Sequence, residues 1–173
     1  MLKLFKTLTI LAFLALMLNT FSFPSAQAAT AEASIAYGYQ DLLGKPLNDR
    51  VVTNFLNSYN CAQAGAFQTC NSVGLALWVE NQSVTAAYLS AANNDHFAAF
   101  PGSLPSGLSA DDTLAEVEQA LGIPDKFHQD GYLRLVATYH DLGLTIAFNT
   151  LSPSDKGATI HHLMVYADPS SQW

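Results

Sequence analysis

The sequence predicts an α+β fold, an antiparallel sheet backed by short helices and built as two tandem helix-plus-sheet units. Three observations lead there. Residues 108–124 hold a helix whose start signal, period and stop signal agree, and short segments further along alternate apolar and polar residues as half-buried strands do. The order helix, loop, hairpin then occurs twice, over residues 48–89 and over residues 113–166.

In chain order, residues 1–28 read as a secretory signal. Lys3 and Lys6 form the positive region, residues 8–18 are an apolar run interrupted only by Thr9, and Ala26-Gln27-Ala28 is an A-x-A cleavage site. Asn19, Thr20, Ser22 and Pro24 interrupt the apolar run before it could span a bilayer, so cleavage and a mature start at Ala29 are expected. Residues 29–173 then form a single domain, with unit one near 37–92 and unit two near 104–168. The expected location is periplasmic or secreted, without stable membrane insertion after cleavage.

The full chain carries 7 Lys and Arg against 14 Asp and Glu, and signal removal takes away two of the bases and none of the acids. Nucleic acid needs clustered bases, so it is excluded as a partner, whereas another protein, in particular a basic one, suits this charge. Cys61 and Cys70 are the chain's two cysteines. In an exported protein their proximity predicts a disulfide, and their spacing matches neither a zinc knuckle nor a redox C-x-x-C.

Residues 29–36 make a small, polar leader. Gly44-Lys45-Pro46 is a turn, after which Asn48 or Asp49 can cap a helix running to Tyr59, with Val52, Phe55, Leu56 and Tyr59 along its buried stripe. Residues 60–72 hold the cysteines and little periodicity, which predicts a stapled loop. Strands are expected at 73–79 and 84–89, joined by a turn over 80–83. Alternation puts Leu75, Leu77 and Val79 on the helix side and Trp78 on the opposite side. Residues 90–109, rich in Ala, Asn, Gly, Pro and Ser, read as a crossing linker whose Phe97 and Phe100 need somewhere to pack.

The second helix opens with the capping box Thr113 and Glu116, buries Leu114, Val117 and Leu121, and closes at Gly122 and Pro124. A turn over 124–131 precedes strands at 132–139, 144–149 and 159–166. Leu133, Leu135, Ala137, Tyr139, Leu144, Ile146, Phe148, Leu163 and Val165 are assigned to the core face. The opposite face then carries Arg134, Thr138, His140, Thr145, Asn149, His162 and Tyr166, polar enough to be a recognition surface.

Thr113, Glu116, Val117, Leu121, Gly122 and Pro124 follow a T-x-x-E-V-x-x-x-L-G-x-P pattern. With the strands "YLRLVATYHDLGLTIAF" and "TIHHLMVY" after it, this stretch resembles the superfamily of the β-lactamase inhibitory protein and the small outer-membrane-assembly lipoproteins. It is similar also to exported and immunity-like bacterial proteins. The resemblance implies tandem helix-plus-sheet units that bind a protein across a sheet face. Three features depart from it. The second unit lacks the inhibitor's cysteine pair and the inhibitor's enzyme-inserting loop has no counterpart located here, so lactamase binding is not carried over, and no lipid-acceptor cysteine is present at the expected cleavage junction, which departs from the assembly lipoproteins.

No nucleophile elbow, H-E-x-x-H helix or phosphate loop occurs. His161 and His162, adjacent in a strand, are expected on opposite faces. His140 and His162 could share the polar face as a weak metal or acid–base pair. The sequence thus favours a non-enzymatic protein-binding module, of inhibitor or immunity type, with no cofactor and with Trp78, Arg134, His140, His162 and Tyr166 as contacts. An envelope-assembly or structural factor is the first alternative, and a small metal-dependent enzyme on His140 and His162 the second.

Overall fold

Eight antiparallel strands make one sheet in the computed structural model, which describes residues 38–94 and 96–171. Residues 1–28, read above as a secretory signal, and the expected leader at 29–36 lie outside the described residues. Among those described, no helix is long and apolar enough to cross a membrane.

Helix α1 spans Arg50–Ser58, and of the two capping candidates Asp49 is the one used, its Oδ1 accepting from Val51 N–H at 2.8 Å. Four strands follow: β1 (Ala62–Ala64), β2 (Phe67–Cys70), β3 (Leu75–Glu80) and β4 (Ser83–Ser90). Helix α2 spans Leu114–Leu121 with the expected reciprocal box, Thr113 N–H donating to Glu116 Oε2 at 2.8 Å and Glu116 N–H to Thr113 Oγ1 at 3.4 Å. The Thr113 N–H bond first, and then the Thr113 O–H, which also donates to Glu116 Oε2 at 2.7 Å, hold the Glu116 carboxyl below its usual range. Gly122 (φ 89°) ends the helix, and Tyr139 O–H donates to the Gly122 carbonyl at 3.3 Å, tying that end to the sheet. Strands β5 (Lys126–Gln129), β6 (Leu135–Tyr139), β7 (Leu144–Phe148) and β8 (Ile160–Tyr166) complete the chain.

The sheet order β1-β2-β3-β4-β8-β7-β6-β5 makes each unit a meander and pairs the two units through their last strands. One side-chain row shows how the core runs through both. Cys70, Leu75, Leu89, Leu163, Ile146, Ala137 and Phe127 lie in register from β2 to β5. Val52 and Phe55 of α1 and Leu114 and Val117 of α2 belong to the same buried cluster, so both helices back this face. The units repeat in detail: Pro46 bridges Ser83 ahead of α1 as Thr113 bridges Thr159 ahead of α2. Val73-Gly74-Leu75-Ala76-Leu77 also matches Leu142-Gly143-Leu144-Thr145-Ile146, each glycine in the left-handed region after a single 3-10 turn. The duplication is therefore closer to residue level than the helix-loop-hairpin order suggests.

Several expectations are corrected. Residues 60–72 are not a plain loop, because β1 and β2 form a hairpin there, bracketed by the Cys61–Cys70 disulfide. The turn between β3 and β4 is two residues, Asn81 and Gln82, both at positive φ (49° and 64°), as a tight hairpin turn requires. Strand β5 occupies the expected turn at 124–131. Leu133 is not in the core: it is 64% exposed at φ 61°, because the chain at Asp130-Gly131-Tyr132-Leu133 turns back before β6 begins. The linker does cross the fold, burying Phe100 and half-burying Phe97.

Candidate functional site

Small residues on the face away from the helices make room for large ones. Ala76 and Ala86 are nearly buried at the middle of two rows, the first running Thr69, Ala76, Tyr88, Met164, Thr145, and the second Phe67, Trp78, Ala86, Tyr166. Phe67 and Trp78 pack with ring centroids 5.0 Å apart. Tyr88 meets Phe97 of the crossing linker at 5.1 Å and His162 of β8 at 4.7 Å.

The face is not open along its whole width. The turn between β5 and β6 brings Tyr132 and Arg134 to the same cleft as Phe67 and Tyr88, although β5 and β6 lie at the other edge of the sheet. The cleft has a volume of about 330 Å³ and a floor of Thr69 and Ala76.

Asp130 builds this turn. Its Oδ1 accepts from the N–H groups of Tyr132 (2.9 Å) and Arg134 (2.8 Å), and its Oδ2 accepts from Arg134 Nε at 2.8 Å. Burial alone would raise the Asp130 pKa, but the bonds from Arg134 and Tyr132 and the guanidinium charge bring it below the usual range. The guanidinium also sits 4.9 Å from the Tyr132 ring centroid.

Arg134 reaches across to β8, its Nη1 lying 3.0 Å and 2.9 Å from Nδ1 and Nε2 of His161. The His161 and His162 Nδ1 atoms are 2.9 Å apart, so the two imidazoles share one side of the sheet instead of opposite sides. The register explains the correction: Ala147 pairs with His162 while Phe148 pairs with Ile160, which makes His161 the extra residue of a bulge and breaks the alternation. Burial first, then the charges of Arg134 and His161, push the His162 pKa down to about 3, against an opposing pull from Asp130.

Trp78, Arg134, His162 and Tyr166 thus share one face, as assigned from alternation. Burial raises the Tyr166 pKa, partly offset by a hydrogen bond with Thr145. His140 is elsewhere: it stands in the exposed 3-10 turn after β6, its N–H donating to Asp125 Oδ2 at 2.7 Å. His162 is level with Val136, four residues back along β6, so the two histidines are separated by roughly 13 Å along the strand direction alone. They do not form a joint metal or acid–base pair in this geometry. Among the described residues, no three His, Cys, Asp or Glu side chains converge as metal ligands.

Phe67, Tyr88, Phe97 and Tyr132 were not assigned to this face from the sequence. For Tyr88 the turn would have misled: the two-residue turn at Asn81-Gln82, extended regularly, sets Tyr88 opposite Leu75, and it is the register shift at Trp78 and Val79 that carries Tyr88 opposite Ala76, on the same side as Trp78. Nothing local foretells that Tyr132 would cross to the other unit. Comparison with known proteins finds no matching family model, no matching curated protein and no matching solved structure.

Proposed function

We propose that this is an exported protein-binding module, acting as an inhibitor or immunity-type protein through the face that carries Trp78, Tyr132 and Tyr166. The observation that carries the reading is the composition of that face. Its rings come from both units, and its fixed charges are satisfied internally, Arg134 by Asp130 and His161, so that ring surface is what remains for contact. Tyr132 is 82% exposed and Leu133 64% exposed beside the cleft, on a turn that Asp130 holds rigid. Interfaces draw most of their affinity from a few such aromatic and apolar anchors held in place before binding.

The signal-like residues 1–28 and the disulfide support an exported location, periplasmic or secreted. The resemblance to the inhibitory-protein superfamily supports the use of a sheet face. The acid excess outside the cleft favours a basic partner. Arg134 serves here as a positioning group, since it links Asp130 in the turn to His161 on β8, while His162 packs against His161 and Tyr88.

Immobilised mature protein should retain one partner from envelope or secreted fractions, identified by mass spectrometry. The Trp78→Ala/Tyr132→Ala/Leu133→Ala variant, checked for unchanged circular dichroism, should retain it at least 30-fold less strongly, about 2 kcal/mol. Undiminished capture by the variant rejects this face.

A further inference from the structure

We propose that the cleft bounded by Phe67, Tyr88, Phe97 and Tyr132 is a socket for one neutral aromatic side chain presented by the partner protein. The inference rests on the protein-binding reading and specifies what that partner inserts.

Size sets the first limit. A volume of about 330 Å³ lies at the low end of cavities that hold small organic groups, which suits one ring and not a folded segment. The walls set the chemistry. Four rings surround a floor of Thr69 and Ala76, and rings packed at about 5–7 Å in tilted or edge-on geometry are the arrangement that aromatic groups favour in one another. Phe67 and Tyr88 already pack in this way with Trp78 and Phe97, which fixes their planes before a ligand arrives.

Polar recognition is largely spoken for. The Thr69 hydroxyl donates to the Ala62 carbonyl at 3.0 Å, and the Arg134 guanidinium is bound to Asp130 and His161. An anionic ligand would have to compete with the Asp130 carboxylate for Arg134, at the expense of the turn that carries Tyr132. A sugar needs several side-chain donors and acceptors in the plane of its hydroxyls, and this lining supplies few. A neutral ring needs neither. Charge complementarity therefore selects an uncharged group, even though the chain as a whole is strongly acidic.

The test uses the folded mature protein labelled with ¹⁵N. N-acetyl-L-tryptophanamide should produce saturable shifts at the amides of Thr69, Ala76 and Tyr88, while N-acetyl-L-leucinamide, N-acetyl-L-glutamate and methyl β-D-glucoside should not. Ala76→Leu, which fills the floor without removing a wall, should weaken the tryptophan probe at least tenfold. Phe97→Ala, outside the sheet, should weaken it severalfold and serves if the leucine variant does not fold. Absence of saturable shifts, equal binding by the variants, or stronger binding of the glutamate or glucoside probe overturns the socket. The partner assay separates the two claims. Capture kept by Ala76→Leu but lost by the triple variant rejects the socket alone. Probe binding with capture unaffected by the triple variant instead rejects the protein-binding reading.

Discussion

His162 connects a single side chain to the stability of the whole site. Its imidazole sits between Tyr88 and His161 with Arg134 close by, so adding a proton there means placing charge in a buried position already next to a guanidinium. The folded-state pKa, about 3, lies below the ordinary histidine value of about 6.5. A depressed histidine pKa means the unfolded chain takes up the proton first. The stabilising contribution is complete above pH ~6.5 and is lost as pH falls toward 3, on the order of 4 kcal/mol over that window. Denaturant unfolding measured at several pH values should show this decline, and His162→Gln should flatten it. A decline of the same size in the variant would assign it to the carboxylates. Leu133 is the other informative residue, since a leucine held at positive φ costs about 1 kcal/mol and here leaves an apolar side chain exposed beside Tyr132.

Helices and strands explain why two equivalent glycines differ. Gly74 and Gly143 occupy matching places between the second and third strands of their units, and both need the left-handed conformation (φ 61° and 58°). Above Gly74 the crossing linker passes so close that a Cβ would stand 2.6 Å from Phe100 N, within backbone that cannot yield without lifting Phe100 from the core. At Gly143 the nearest atom would be the Tyr166 carbonyl at 3.3 Å. Gly74→Ala should therefore cost about 3 kcal/mol or more, and Gly143→Ala about 1–2 kcal/mol, by chemical denaturation. Equal losses would mean that φ alone governs both positions. The linker was legible as a crossing because its two phenylalanines required a packing site. Its landing place on Gly74 was not, since close approach of two backbones leaves no mark in either segment.

At the level of the molecule, the two units share a core instead of abutting as separate bodies. Strands β4 and β8 pair over five residues, and the row from Cys70 to Phe127 passes through that junction without interruption. Unfolding should be a single transition: hydrogen exchange at Leu77 in β3 and Ile146 in β7 should report the same global free energy. A clear difference between them would mean that the units open separately. The repeat of order, helix then strands, was visible in the chain, as were both helices, the cysteine pairing and the faces of β3, β7 and most of β8. These features depend on residues near one another in sequence: capping boxes, the 3.6 and 2 periods, and two cysteines a short loop apart. Tertiary structure decided the rest. It set the edge strands β1 and β5, whose short polar segments become strands only when a neighbour supplies hydrogen bonds. It also set the bulge that turns His161 and His162 to one side, and the path of the β5–β6 turn across the sheet. That path joins Tyr132 and Arg134 to Phe67 and Tyr88, residues 44 to 67 positions apart in the chain, and no local periodicity encodes contacts of that range.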